Sequence, residues 1–150
     1  MILCLLVDCK SYLLSENVIK VGTFSCPVNE AFLSTVRTEI IYQVQRLQSH
    51  PSIVLWAGNN ENKAHLASFV QKLSPSDAAR FEEDYRILYI NTIKATVDII
   101  DPHVSRPFVP SSPSNGVESA QENYTAKNPN DPLYGRKIIF IYRYCVISII

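Results

Sequence analysis

Between residues 29 and 48 the apolar side chains Phe32, Leu33, Val36, Ile40, Ile41, Val44 and Leu47 return at steps of three and four. That spacing gathers them on one face and predicts an amphipathic helix, with Arg37, Glu39, Gln43 and Arg46 opposite. Asn29 can cap its start, Glu30 suits the positive end of the helix dipole, and His50-Pro51 ends it. The pattern then changes. Ile53 to Ala57 is a continuous apolar run, as expected of a strand buried on both faces of a parallel sheet. Residues 64–73 predict a short helix. Ser74-Pro75-Ser76-Asp77 is a second helix start, with a capping Ser and Pro at the first helical position. That helix is expected to run to about Ile100, burying Phe81, Tyr85, Leu88, Tyr89, Thr92, Thr96 and Ile100, until Asp101-Pro102 stops it.

The remainder is weaker in pattern. Arg106 to Pro110 reads as a short strand and Ser111 to Gly116 as a turn-rich loop. Residues 117–135 read as a long polar loop, and 137–142 as a final strand. Residues 1–25 carry no strong period, although Val18 to Phe24 fits a short strand. Helix and strand thus alternate, which implies an α/β fold with a parallel sheet.

Composition changes this picture little. The chain has 150 residues, 47% of them hydrophobic, with 14 basic and 14 acidic side chains. That is enough for one core, but short of the ~250 residues of a complete eight-stranded α/β barrel. Balanced charge gives no argument for nucleic acid or an anionic membrane as partner. Cys4, Cys9, Cys26 and Cys145 form no C-x-x-C pair or zinc pattern, so free thiols are expected and no metal. The opening apolar run, of about six residues, is short for a secretory signal. The apolar C-terminal stretch, interrupted by Arg143, is short of the ~20 residues of a membrane span; a strand is expected there. Asn123-Tyr124-Thr125 is a glycosylation sequon, usable only on the secretory route.

The candidate chemistry follows the Ile53–Ala57 run, in Gly58-Asn59-Asn60-Glu61-Asn62. Polar side chains directly after a buried parallel strand stand where an α/β barrel places its reactive groups. A Glu there can protonate a departing glycosidic oxygen and later draw a proton from water, if burial and a second carboxylate raise its pKa. Asn60 can hydrogen-bond a sugar hydroxyl. Trp56 can offer a flat face to a sugar or simply fill the core. Taken alone, such a segment is more often a capped loop than a catalytic site.

The stretch His50-Pro51-Ser52-Ile53-Val54-Leu55-Trp56-Ala57-Gly58-Asn59-Asn60-Glu61-Asn62 resembles the acid/base segment of the β-mannosidases of glycoside hydrolase family 2, the animal lysosomal members among them. Tyr42-Gln43-Val44, Arg46-Leu47, Asp84-Tyr85, Leu88-Tyr89, Asn91-Thr92-Ile93, Ser105-Arg106-Pro107-Phe108, Ser111-Ser112-Pro113-Ser114-Asn115-Gly116, Asn128-Pro129-Asn130 and Tyr134-Gly135 extend the likeness. The resemblance implies an incomplete (β/α)8 TIM barrel over residues 24–135, roughly its third helix to sixth strand, between divergent segments 1–23 and 136–150. It implies Glu61 as proton donor, Asn60 and more weakly Trp56 and Asn115 as substrate contacts, no cofactor, and hydrolysis of terminal non-reducing β-D-mannose with retention. It also implies a lysosomal parent enzyme, as in the animal members.

The same resemblance implies that the nucleophilic Glu lies downstream of this chain. Glu118 and Glu122 fall in the polar loop and Glu82 and Glu83 early in a helix, so none fits that role. Lys63 stands where the family often has an acid. The expectation is therefore a fragment, inactive alone, whose ends reflect truncation, splicing or exon joining. The alternative is a non-catalytic product that binds sugar weakly or interacts with the full-length enzyme. Half a barrel would also leave open sheet edges, so self-association is expected.

Overall fold

A computed structural model describes residues 2–7, 26–59, 62–102, 106–111, 115–116, 118–125, 128–129, 131 and 146–149. In chain order these form β1 (Ile2–Val7), α1 (Glu30–Leu47), β2 (Leu55–Ala57), α2 (Asn62–Val70), α3 (Pro75–Arg86), a π-helical stretch Ile87–Lys94, α4 (Ala95–Ile100), β3 (Phe108–Val109), α5 (Glu118–Gln121) and β4 (Val146–Ile149). The strands make one sheet in the order β3-β2-β1-β4. Every pairing is parallel, with Leu3 beside Trp56, Trp56 beside Phe108, and Leu5 beside Ile147. Parallel neighbours need a crossover connection, and α2, α3 and α4 supply it between β2 and β3. The α/β parallel reading therefore holds.

Helix α1 starts where its cap predicts: the Asn29 side chain accepts from the Phe32 N–H at 3.0 Å. Phe32, Leu33, Val36, Ile40, Val44 and Leu47 are buried, whereas Ile41 turns out to the surface. Ser74 caps α3 by accepting from the Asp77 N–H, with Pro75 at the first turn. The helix predicted from 75 to 100 is unbroken, but its middle widens into the π stretch, where Thr92 Oγ1 donates to the Ile87 carbonyl at 2.8 Å. Trp56, Ile40, Val44, Tyr85, Leu88, Tyr89, Ile93 and Val97 form the centre of the core. Phe69 and Phe81 join α2 to α3 edge to face, their centroids 5.2 Å apart.

Several sequence expectations need correction. The weakly patterned N-terminus contributes β1, which lies inside the sheet between β2 and β4. The expected long loop contains the four-residue α5. Cys26 is disulfide-bonded rather than a free thiol. The strands expected at 18–24 and 137–142 lie outside the described residues. Among the described residues, no helix is long and apolar enough to cross a membrane.

Candidate functional site

Neighbouring parallel strands end on the same side of a sheet, so the residues after β2 and after β3 meet there. Gly58 donates its N–H to the Val109 carbonyl at 2.9 Å. A side chain at Gly58 would meet the Pro110 carbonyl oxygen at 2.8 Å and Phe108 Cζ at 2.9 Å. Only glycine lets these two strand ends approach so closely.

Asn59 is 1% exposed, and both ends of its amide are occupied. Its Nδ2 donates to the Pro110 carbonyl at 2.8 Å and to Tyr85 Oη at 3.3 Å, while Ser111 Oγ donates to its Oδ1 at 2.7 Å. Asn62, also buried, donates from Nδ2 to Tyr89 Oη at 2.6 Å. The rings of Tyr85 and Tyr89 lie 4.8 Å apart, one helical turn from each other. Burial pushes the Tyr85 phenol well above its ordinary range, and hydrogen bonds with Asn59 and Ser111 offset only part of that. Tyr85 therefore stays neutral at any physiological pH.

Asn60 and Glu61 lie outside the described residues. What the structure gives is the frame on either side of them: Asn59 held by β3 and α3, Asn62 held by the π stretch. Trp56 is fully enclosed. Its indole N–H donates to Asp101 Oδ2 at 2.7 Å, and Arg106 Nη1 donates to the same oxygen at 2.7 Å. Arg106 also reaches the carbonyls of Ile53 and Gln48 from Nε and Nη2. Asp101 and Arg106 thus tie the entry to β2 to the ends of α1 and α4, and in this arrangement Trp56 fills the core, one of the two roles its sequence allowed.

Asn115 is buried; its Nδ2 donates to Glu122 Oε2 at 3.1 Å and to the Asn128 carbonyl at 3.0 Å, while Oδ1 has no partner among the described residues. Gly116 follows with a φ of 62°. In the sequon, Asn123 is exposed, and Asn123 and Tyr124 both have left-handed backbone angles. Thr125 Oγ1 accepts from Arg86. Among the described residues, no three His, Cys, Asp or Glu side chains gather as metal ligands.

Sequence reasoning placed Tyr85 and Tyr89 on a buried stripe but gave them no partner. The signal was available: a buried tyrosine hydroxyl needs a hydrogen bond, and two tyrosines one turn apart reach two points on a neighbouring loop.

No family model matches the chain. The β-mannosidase of Rattus norvegicus is 40% identical over 116 residues, which is 77% of this chain and 13% of that protein. The β-mannosidase of Capra hircus is 40% identical over 115 residues, and the probable β-mannosidase of Caenorhabditis elegans 36% identical over 115. The chain thus spans about one-eighth of the length of these relatives. A β-D-mannosidase structure from Dictyoglomus thermophilum overlays 62% of this chain and 10% of its own, at 31% identity and a TM-score of 0.46.

Proposed function

We propose that this chain, which is a partial member of the β-mannosidase family of glycosidases, carries the acid/base corner of a retaining active site and depends on other parts of a barrel to complete it. The observation that carries this reading is the pair of buried clamps on Asn59 and Asn62, which bracket residues 60 and 61 at the C-terminal end of a parallel strand. Rigid support on both sides of a catalytic dipeptide is what orientation-dependent proton transfer requires.

In this reading Glu61 gives its proton to the oxygen leaving a terminal β-mannosyl group. After a second carboxylate has formed the glycosyl intermediate, Glu61 takes a proton from the attacking water. Asn60 holds a sugar hydroxyl. Trp56 acts beneath the site by fixing β2. The attacking carboxylate comes from outside this chain: Glu83 pairs with Arg86, and Glu122 accepts from Asn115. The incomplete barrel has β3 and β4 as its edges among the described residues, and its parent enzyme works on β-mannosides in the lysosome.

The test has two arms. The purified chain is expected to show no turnover of a chromogenic β-mannoside; turnover that Glu61→Gln abolishes would overturn the dependence on a completing partner. Residues 24–135 transplanted into the matching segment of the rat enzyme are expected to give an active chimera. In it, Glu61→Gln should lower kcat about 10²–10⁴-fold, the usual contribution of general acid/base catalysis. An active chimera indifferent to that substitution would remove Glu61 from the mechanism.

A further inference from the structure

Lys63 follows Asn62 in the first turn of α2 and is 2% exposed. Its Nζ donates to Ser119 Oγ at 3.0 Å. Among the described residues, no carboxylate comes within ion-pair distance of it. A buried ammonium with one neutral partner is poorly solvated, and the positive end of α2 disfavours it further. Burial accordingly holds the Lys63 amine below its ordinary range, with the more distant Glu122 offsetting part of the effect. The same side chain lines a cavity of about 70 Å³ between α2 and α3. Leu66, Ala67 and Val70 give that cavity an apolar wall, and Glu82 and Thr125 a polar one. One water needs about 10–15 Å³ of such space, so there is room for more than a single water and for a small solute.

We propose that Lys63 is a carbonyl-reactive amine, and that this cavity admits a small aldehyde to it. The Nζ lone pair forms a bond to the carbonyl carbon, and the C–O π pair moves onto oxygen, which takes a proton from water. The nitrogen then loses a proton, the hydroxyl leaves as water, and C=N forms. One amine and one aldehyde give one imine and one water, with no change of oxidation state. Among the described residues, the charged and polar groups facing this step are Glu82 from α3, Glu122 and Ser119 at α5, and Arg86, which reaches the cavity through its bond to Thr125. Glu82 and Glu122 favour the cationic, protonated imine once it forms. None of this draws on the sugar chemistry, so the two readings stand or fall separately.

The experiment treats the purified chain with acetaldehyde and sodium cyanoborohydride between pH 6 and 9. The hydride reduces the imine to N-ethyl-lysine, and peptide mass spectrometry counts it at each lysine. At pH 7 Lys63 is expected to be ethylated at least about tenfold more than Lys72 and Lys94. The free-amine fraction of an ordinary lysine falls about tenfold per pH unit below its pKa. From pH 9 to 7, lysine labelling in the urea-unfolded chain should therefore drop about a hundredfold, and that of Lys63 in the folded chain clearly less. In strong urea the preference should vanish. Labelling of Lys63 no greater than that of Lys72 in the folded chain, or an equal preference in urea, overturns the proposal.

Discussion

Asp101 Oδ2 takes two donors at once, the Trp56 indole and the Arg106 guanidinium, and Asp101 itself is 5% exposed. Removing an acceptor from such a pair leaves the partners buried without compensation, which costs more than the pair contributes net. Asp101→Ala should therefore destabilise the fold by about 3 kcal/mol, near the lower figure for broken buried ion pairs. Asp101→Asn keeps an acceptor for the indole and should lose less. Chemical denaturation of both variants measures this, and equal losses would show that the indole bond does not matter. Lys63 makes the opposite case. Its proton is bound fully by the unfolded chain at neutral pH, whereas the folded state disfavours it, so stability rises as pH climbs through the folded value toward ~10.4. Lys63→Met removes that penalty. Its stability relative to the parent chain should be most favourable near pH 7 and decline by pH 10, as read from Tm against pH. A difference that does not change with pH would contradict the direction of the shift.

Elements were legible wherever local physics decides them. The α1 cap and stripe and the Ser74-Pro75 start are written in adjacent residues, and both helices begin where those residues say. The π stretch was not legible, because its buried Leu88, Tyr89, Thr92 and Ile93 still recur as they would on an α-helix. What changes there is the backbone ladder, with the Ala95 N–H reaching back to the Ile90 carbonyl. Such stretches are frequent at functional sites, and this one carries the Tyr89 that holds Asn62. The junction of β2 with β3 rests on Gly58 in a similarly concealed way: the sequence shows a glycine, but not the Pro110 carbonyl 2.8 Å from where a Cβ would be. Gly58→Ala must push the edge strand away, at about 1–3 kcal/mol, as for other overpacked positions. The Asn59 bonds to Pro110 and Ser111 should loosen with it. Hydrogen exchange at the Asn59 and Gly58 amides checks this, and unchanged protection would mean that β3 yields without cost.

At the scale of the molecule, the least legible feature is the pairing of β1 with β4. Residues 2–7 and 146–149 lie at opposite ends of the chain, and nothing in either short apolar run names the other as its neighbour. Long-range parallel pairing is decided by the whole packing and not by local pattern. Its consequence is topological. With β1 and β2 inside the sheet, the described edges are β3 and β4, each with one neighbour only. A complete barrel leaves no edge, whereas an open sheet presents unpaired backbone groups that template association. The sheet alone therefore predicts that the chain self-associates, with an apparent mass in sedimentation that grows with concentration. Residues 24–135 set inside the rat enzyme should not do so if its own strands cover β2 and β3. A chain that stays monomeric at concentrations where the sheet is folded would show that its edges are already covered, and would count against an incomplete barrel as the reason for the proposed dependence on a partner.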